Sequence, residues 1–145
     1  MEKMEWNLIV IAAAKGQLLT PVQLQKALFI VGENVPSVYK RDYYHFKAYN
    51  YGPFSKEVYS DAESLAATGD VAIATAPGQA WSNYRATHQG SKRAEQLRKE
   101  LSKSERDYID RIVMWIRGLS FRQLLAFIYK QYPNYAKKSM FKVQE

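Results

Sequence analysis

The sequence predicts an α+β fold that is mainly helical, with a small antiparallel sheet and two additional helices at the C-terminal end. Apolar residues recur at spacings of three and four in residues 53–68, which indicates one face of a helix. Residues 71–75 then alternate in hydrophobicity, residues 76–79 are turn formers, and the chain returns through residues 81–86. A helix followed by a two-stranded hairpin is therefore the central unit of the prediction.

The boundaries of this central helix are predicted from its glycines and proline. Gly52-Pro53 indicates the start, because proline at the first helical position loses no hydrogen bond. Gly69 indicates the end, because it can adopt the left-handed cap. Upstream, residues 44–51 alternate as a strand does, and we expect this strand to complete a three-stranded sheet beside the hairpin.

Four other helices are predicted, two before the central unit and two near the C-terminal end. Residues 5–14 form an apolar helical pattern, and Thr20-Pro21-Val22-Gln23 has the composition of an N-cap with a capping box. Near the C-terminal end, Ser104 and Ser120 are the expected caps of two amphipathic helices. We expect one compact domain with a core at 1–101 and a helical pair at 102–145. The pair either completes the core or forms a docking surface, for example in a homodimer.

A helix followed by a hairpin is typical of the distal half of a winged helix-turn-helix domain. The sequence after the hairpin resembles the pattern of MarR-like and PadR-like regulators: an aromatic residue, Thr, Gly, then Ala and Leu. In this chain the pattern is Tyr84-Arg85-Ala86-Thr87-His88-Gln89-Gly90, followed by Ala94 and Leu97. Ala86 departs from the larger leucine that is usual there. The resemblance implies a DNA-binding regulator.

A second stretch resembles the opening of the Panacea domain, known from SocA-type antitoxins. The first signature is Leu19-Thr20-Pro21 followed by Leu24-Gln25-Lys26-Ala27-Leu28-Phe29. The second is Ala48-Tyr49 with Tyr51-Gly52-Pro53 and Val58-Tyr59, where Tyr49 replaces the more usual tryptophan. This resemblance covers residues 19–60 and implies a module that binds a protein such as a toxin.

Composition argues against several other classes of protein. The chain has no cysteine, which removes disulfides and thiolate sites. Its longest N-terminal apolar run has seven residues, Leu8 to Ala14, too short to span a bilayer. We expect a cytoplasmic protein with no membrane association. Two histidines without nearby acidic residues at ligand spacing give no metal site, and the familiar nucleotide and hydrolase motifs are missing. We therefore expect no cofactor and no enzymatic activity.

The net charge of +7 is distributed unevenly. Residues 1–84 hold seven Lys/Arg and eight Asp/Glu, whereas residues 85–145 hold fourteen Lys/Arg and six Asp/Glu, a net charge of +8. A basic half of this kind suits a polyanion or an acidic protein. We expect duplex DNA to be contacted by the exposed face of the central helix, the hairpin and the helix that follows, namely Ser55, Lys56, Tyr59, Arg85, His88, Lys92 and Arg93.

The central helix nevertheless carries Glu57, Asp61 and Glu63 against the single cation Lys56, which is unfavourable for DNA. Cations elsewhere, including Lys40, Arg41 and Lys47, would have to compensate. The alternative is a protein-interaction module, favoured by six tyrosines between positions 39 and 59. Its expected contacts are Tyr43, Tyr49, Tyr59 and Glu63. The sequence favours DNA binding by a small margin, because the fold pattern is that of DNA-binding domains.

Overall fold

The computed structural model describes residues 1–39 and 42–139, and this part of the chain contains six α-helices and four short β-strands. The helices are α1 (Lys3–Ala12), α2 (Pro21–Asn34), α3 (Lys56–Ala67), α4 (His88–Arg98), α5 (Lys103–Arg117) and α6 (Phe121–Gln131). The strands are β1 (Lys47–Tyr49), β2 (Gly52–Phe54), β3 (Val71–Thr75) and β4 (Ser82–Ala86), and short 3-10 turns follow α2 and α6. The fold is α+β and mainly helical, with two antiparallel two-stranded sheets.

Helices α1 and α2 form the centre of the hydrophobic core. Residues 6–11 of α1 and 24–31 of α2 are buried without interruption, so both helices are covered on all sides. The predicted cap of α2 is confirmed: Thr20 Oγ1 accepts a hydrogen bond from the Gln23 amide at 3.2 Å, and Gln23 Oε1 accepts one from the Thr20 amide at 2.9 Å. This reciprocal pair fixes the start of α2.

The predicted hairpin is confirmed as β3 and β4. Their register runs from the pair Val71–Ala86 to the pair Thr75–Ser82. Leu19 lies on the other side of β4 and pairs with Tyr84. The Leu19 amide donates to the Tyr84 carbonyl at 2.8 Å, and the Leu19 carbonyl accepts from the Tyr84 amide at 2.9 Å. The segment before α2 therefore extends this sheet by one residue.

The prediction that residues 44–51 join the β3–β4 sheet is wrong. Only Lys47–Tyr49 is extended as a strand, and it pairs with Gly52–Phe54 in a separate hairpin. Gly52 has φ of +90° at the turn, a conformation that favours glycine. Alternation in sequence identified the strand but gave no information about its partner, because pairing depends on which edge the tertiary fold leaves available.

The predicted helix start at Gly52-Pro53 is also wrong, since Pro53 lies in β2 and α3 begins at Lys56 after the N-cap Ser55. Two polar side chains of α2 hold this segment extended. Gln25 accepts from the Ser55 amide at 3.0 Å and donates to the Ser55 carbonyl at 2.7 Å, and Lys26 Nζ donates to the Pro53 carbonyl at 2.9 Å. These long-range bonds outweigh the local preference of proline for the first helical turn.

The C-terminal helices pack on the same core. Their apolar stripes are buried, with Ile109, Val113, Ile116, Leu124 and Ile128 at most 1% exposed. The cap of α5 is Ser102 rather than the predicted Ser104, because Glu105 completes a capping box with Ser102. The predicted cap Ser120 of α6 is confirmed.

Candidate binding surfaces

The predicted DNA contacts on α3 are only partly accessible. Lys56 is exposed at the start of the helix. Ser55 is buried, contrary to the prediction, because both of its backbone groups are bonded to Gln25 beneath α3. Tyr59 is half-buried and stacks on Tyr84 with ring centroids 6.3 Å apart and an interplanar angle of 6°. The face of α3 that would read a DNA groove therefore offers a single cation.

The acidic residues of α3 differ in their surroundings. Glu57 forms an ion pair with Lys3, which also lies near Asp42. Asp61 accepts a hydrogen bond from the hydroxyl of Tyr44 at 2.6 Å. Glu63 is exposed. The exposed surface of α3 thus keeps carboxylates beside Lys56, while Lys40 and Arg41, which were expected to compensate, lie outside the described residues.

The cations of β4 and α4 form the remaining part of the predicted DNA surface. Arg85, His88 and Lys92 are exposed. Arg93 is exposed as well, but it bonds the carboxylate of Asp70, whose side chain is 4% exposed, at 2.7 Å. Burial alone raises the pKa of Asp70, but hydrogen bonds from Gln89 and Arg93 outweigh it and hold that pKa below its ordinary value. Arg93 therefore already has an internal partner.

The junction that holds Asp70 also depends on a glycine. A Cβ atom at Gly90 would lie 1.9 Å from the Asp70 carbonyl oxygen, so no other residue fits there without movement of the backbone. The Gly90 amide donates to Thr87 Oγ1 at 3.0 Å, which caps α4. The Thr and Gly of the sequence pattern after the hairpin therefore have a structural role at this junction.

The tyrosines proposed for a protein partner also separate into buried and exposed groups. Tyr43 is 8% exposed and its hydroxyl donates to the Leu28 carbonyl at 2.5 Å, so it belongs to the core and cannot contact a partner. Tyr49 is 56% exposed and is accessible as predicted. Tyr51 is 46% exposed. It lies in the β1–β2 turn.

One concave surface was not predicted from the sequence. We call it the aromatic groove; its volume is about 550 Å³, and it is formed by Thr20, Pro21, Val22, Gln23, Tyr51, Trp81, Leu119, Ser120, Phe121 and Leu124. These residues come from the start of α2, the β1–β2 turn, the β3–β4 hairpin and the start of α6. Tyr51, Trp81 and Phe121 are 46%, 47% and 42% exposed, and the rings of Tyr51 and Phe121 meet edge to face at 5.5 Å.

A smaller cavity adjoins the aromatic groove, with Val22 and Tyr51 lining both. We call it the Lys26 pocket; its volume is about 170 Å³, and it is formed by Val22, Gln25, Lys26, Tyr49, Asn50, Tyr51, Gly52, Phe54 and Tyr59. Lys26 is 3% exposed. Burial lowers the pKa of its ammonium to about 8.

Sequence reasoning missed both features for identifiable reasons. The aromatic groove joins residues as far apart as Thr20 and Leu124, so no local pattern could reveal it. Lys26 lies off the apolar stripe of Leu24, Leu28 and Val31, and an isolated lysine at such a position is normally exposed. Its burial follows from α2 being surrounded on all sides.

No group of three or more His, Asp or Glu in residues 1–39 and 42–139 is arranged to hold a metal ion. Over the same residues, every helix is too short or too polar to cross a membrane. Comparison with known proteins adds no assignment: no family model matches the chain, and no curated protein is significantly similar to it.

Proposed function

We propose that the protein is a non-enzymatic module that binds a partner polypeptide through the aromatic groove. The observation that carries this proposal is the convergence of three half-exposed aromatic side chains, Tyr51, Trp81 and Phe121, around a groove of about 550 Å³. Aromatic residues in such concave surfaces supply large contact areas and are frequent hot spots of protein interfaces. Clustered apolar exposure of this kind marks an interaction site more often than isolated exposed residues do.

The groove is also preorganised, which lowers the entropic cost of binding. Two of its walls are helix starts, and each is fixed by a capping box, from Thr20 on α2 and Ser120 on α6. Arg117 Nε donates to the Leu18 carbonyl at 2.9 Å and ties the end of α5 to the segment before α2. A surface assembled from such fixed elements loses little freedom when a ligand enters.

The charge around the groove favours a particular kind of partner. Residues 85–145 carry the net charge of +8. In sequence, Arg117 lies two positions before the groove residue Leu119, and Arg122 directly follows the groove residue Phe121. Arg122 is exposed. An apolar segment that carries acidic residues would place its side chains in the groove and its carboxylates near these cations. We therefore infer an acidic, apolar segment as the occupant.

The proposal includes a winged helix-turn-helix body for residues 1–101. The arrangement of Leu19, β4 and β3 side by side, with α3 before the hairpin, supports this proposal. The resemblance of residues 19–60 to the Panacea domain supports a protein as the partner, because that family includes antitoxins that bind proteins. The fold does not determine the function, because one fold serves many functions.

DNA binding is the second candidate, favoured by the exposed Arg85, His88 and Lys92 on β4 and α4. Three features weaken it. Ser55 is buried, Arg93 is bound to Asp70, and α3 exposes Glu63 as well as its one cation, Lys56. Because phosphate contacts supply much of the affinity for DNA, this surface is poorly suited to tight binding.

Site-specific photo-crosslinking tests the proposed function. A benzophenone amino acid replaces Trp81 in the groove, and a matched control carries it at Glu100, which is exposed two residues after the end of α4. In cells that produce the protein, position 81 is expected to give a discrete protein adduct that position 100 does not. A second substitution, Leu119→Lys, should abolish it by placing a charge in the groove. Adducts of equal yield at both positions, or an adduct that survives Leu119→Lys, would refute the proposal.

A further inference from the structure

We propose that the Lys26 pocket binds a carboxylate of the partner polypeptide, while the neighbouring aromatic groove holds its apolar side chains. This inference deepens the proposed function and rests on it, because Val22 and Tyr51 line both cavities. The carboxylate belongs to an acidic side chain or to a chain terminus; both present the same planar, negatively charged group. The inference depends on the position of one ammonium group.

The ammonium of Lys26 has unused hydrogen-bonding capacity. A lysine ammonium carries three N–H donors. Within the described residues Lys26 makes one hydrogen bond, to the Pro53 carbonyl at 2.9 Å, and it takes part in no ion pair. Its side chain nevertheless contributes to the wall of an open pocket. A ligand oxygen can therefore reach a donor that the protein itself leaves unpaired.

A purely structural role does not account for the charge. Gln25, the preceding residue, already holds the adjoining Ser55 by two neutral hydrogen bonds. A buried charge without a counter-ion destabilises the folded state, whereas a neutral side chain could make the single bond to Pro53. Perturbed ionisable groups that line a cavity are functional candidates for this reason.

The pocket walls suit a carboxylate attached to an apolar group. Phe54 packs against Tyr49 at 5.3 Å and against Tyr59 at 5.8 Å between ring centroids, which gives the pocket aromatic sides. Gly52 keeps the backbone close to the lysine: a Cβ there would lie 3.7 Å from Lys26 Cε and 3.3 Å from a ring atom of Tyr129. An entering oxygen therefore meets the ammonium, and the group behind it meets aromatic rings.

No acidic side chain competes for the ammonium in the described part of the pocket. The ionisable groups around Lys26 are phenols: Tyr49 and Tyr51 from the β1–β2 hairpin, Tyr59 from α3 and Tyr129 from α6. Burial raises the pKa of Tyr59 to about 12 and also raises that of Tyr129. These two phenols stay neutral at pH 7, so an external carboxylate is the available counter-ion.

The first test uses sodium benzoate as the probe and benzamide as its neutral counterpart. Lysine labelled at Cε is followed by NMR while the pH is varied. Saturating benzoate is expected to raise the pKa of Lys26 by at least one unit, because the anion stabilises the charged form, and benzamide is expected to leave it unchanged. Benzoate should bind about tenfold or more weakly at pH 9.5 than at pH 7, since Lys26 is then mostly neutral. If saturating benzoate leaves the pKa of Lys26 unchanged, the inference is overturned.

Two variants assign the effect to this lysine. Lys26→Met keeps the aliphatic stem and should lose benzoate binding, whereas Lys47→Met, at an exposed site on β1, should retain it. Equal benzoate affinity in wild type and Lys26→Met would overturn the inference. If Lys26→Met fails to fold, the wild-type Lys26 resonance still decides the question.

A further binding experiment with peptides distinguishes a carboxylate carried by a polypeptide from that of a small molecule. Acetyl-Leu-Phe with a free carboxylate is compared with its C-terminal amide and with benzoate. Tighter binding of the free-acid peptide than of both others supports a polypeptide source, and tighter binding of benzoate than of either peptide overturns it. A groove crosslink at position 81 without any response of Lys26 overturns this inference alone. A Lys26 response without the crosslink instead refutes the proposed function.

Discussion

The charge on Lys26 is expected to reduce the stability of the folded protein at neutral pH. Its pKa is lowered by burial from the ordinary value of 10.5 to about 8. The unfolded chain therefore holds the proton more tightly than the folded chain does. This difference in pKa lowers the free energy of unfolding by about 3 kcal/mol at pH 7, and the full effect is present below pH 8.

This destabilisation should diminish as the pH rises from 8 toward 10.5, because the folded protein then loses the proton before the unfolded chain does. Between pH 7 and 9.5 the penalty falls by about 2 kcal/mol. Lys26→Met has no such group, so its stability relative to wild type is expected to change by this amount over the same range. Removing the bond to Pro53 costs the variant about 1–3 kcal/mol at any pH, which offsets much of its gain at pH 7.

Urea denaturation followed by circular dichroism measures this difference. Wild type and Lys26→Met are unfolded at pH 7.0 and 9.5, and the change in their stability difference isolates Lys26 from the other ionisable groups. Lys47→Met serves as the control and should show no such change. A stability difference between wild type and Lys26→Met that is the same at both pH values would show that the Lys26 ammonium is not destabilised by burial.

Three further predictions concern the scaffold. Gly90→Ala is expected to destabilise the protein by about 3 kcal/mol or more, seen as a lower Tm, because its Cβ would meet the Asp70 carbonyl; an unchanged Tm would contradict this packing. Asp70→Asn is expected to cost about 1–3 kcal/mol at pH 7, and in acid titration the difference from wild type should begin to shrink as the pH falls below about 4. That decrease follows from the lowered pKa of Asp70, and a difference that stays constant between pH 4 and pH 2 would argue against it. Thr20→Ala removes the cap of α2 and should lower the free energy of unfolding in urea by about 1 kcal/mol. Substituting Ser104, which is not a helix cap, is expected to have no effect.

The elements that the sequence predicted well are those specified by local chemistry. The caps at Thr20 and Ser120, the β3–β4 hairpin and the apolar stripes of α5 and α6 depend on residues a few positions apart. Such signals remain visible without any knowledge of tertiary structure. The correct prediction of Lys56 and Arg85 as exposed residues belongs to the same class, because each follows from its position on one element.

The wrong predictions concern segments governed by distant contacts. Gly52-Pro53 has the composition of a helix start, yet Gln25 and Lys26 hold the chain extended across it. The sequence alone does not distinguish Tyr43 from Tyr51. In the fold, only Tyr43 donates to a buried acceptor, the Leu28 carbonyl. The binding surfaces could not be predicted for the same reason, since each is assembled from segments that the fold alone brings together.

The choice between a polypeptide and duplex DNA as the bound macromolecule is tested most directly by measuring duplex affinity. Fluorescence anisotropy of a labelled random duplex is recorded for wild type and for Arg85→Ala/Lys92→Ala; Arg93 is left in place because it holds Asp70. At physiological salt, nonspecific binding by DNA-binding proteins typically has a Kd of about 10⁻⁴–10⁻⁶ M. We expect wild type to bind no more tightly than about 10⁻⁴ M under these conditions. A Kd below about 10⁻⁶ M that the double substitution weakens at least tenfold would contradict the proposed function and make DNA the ligand.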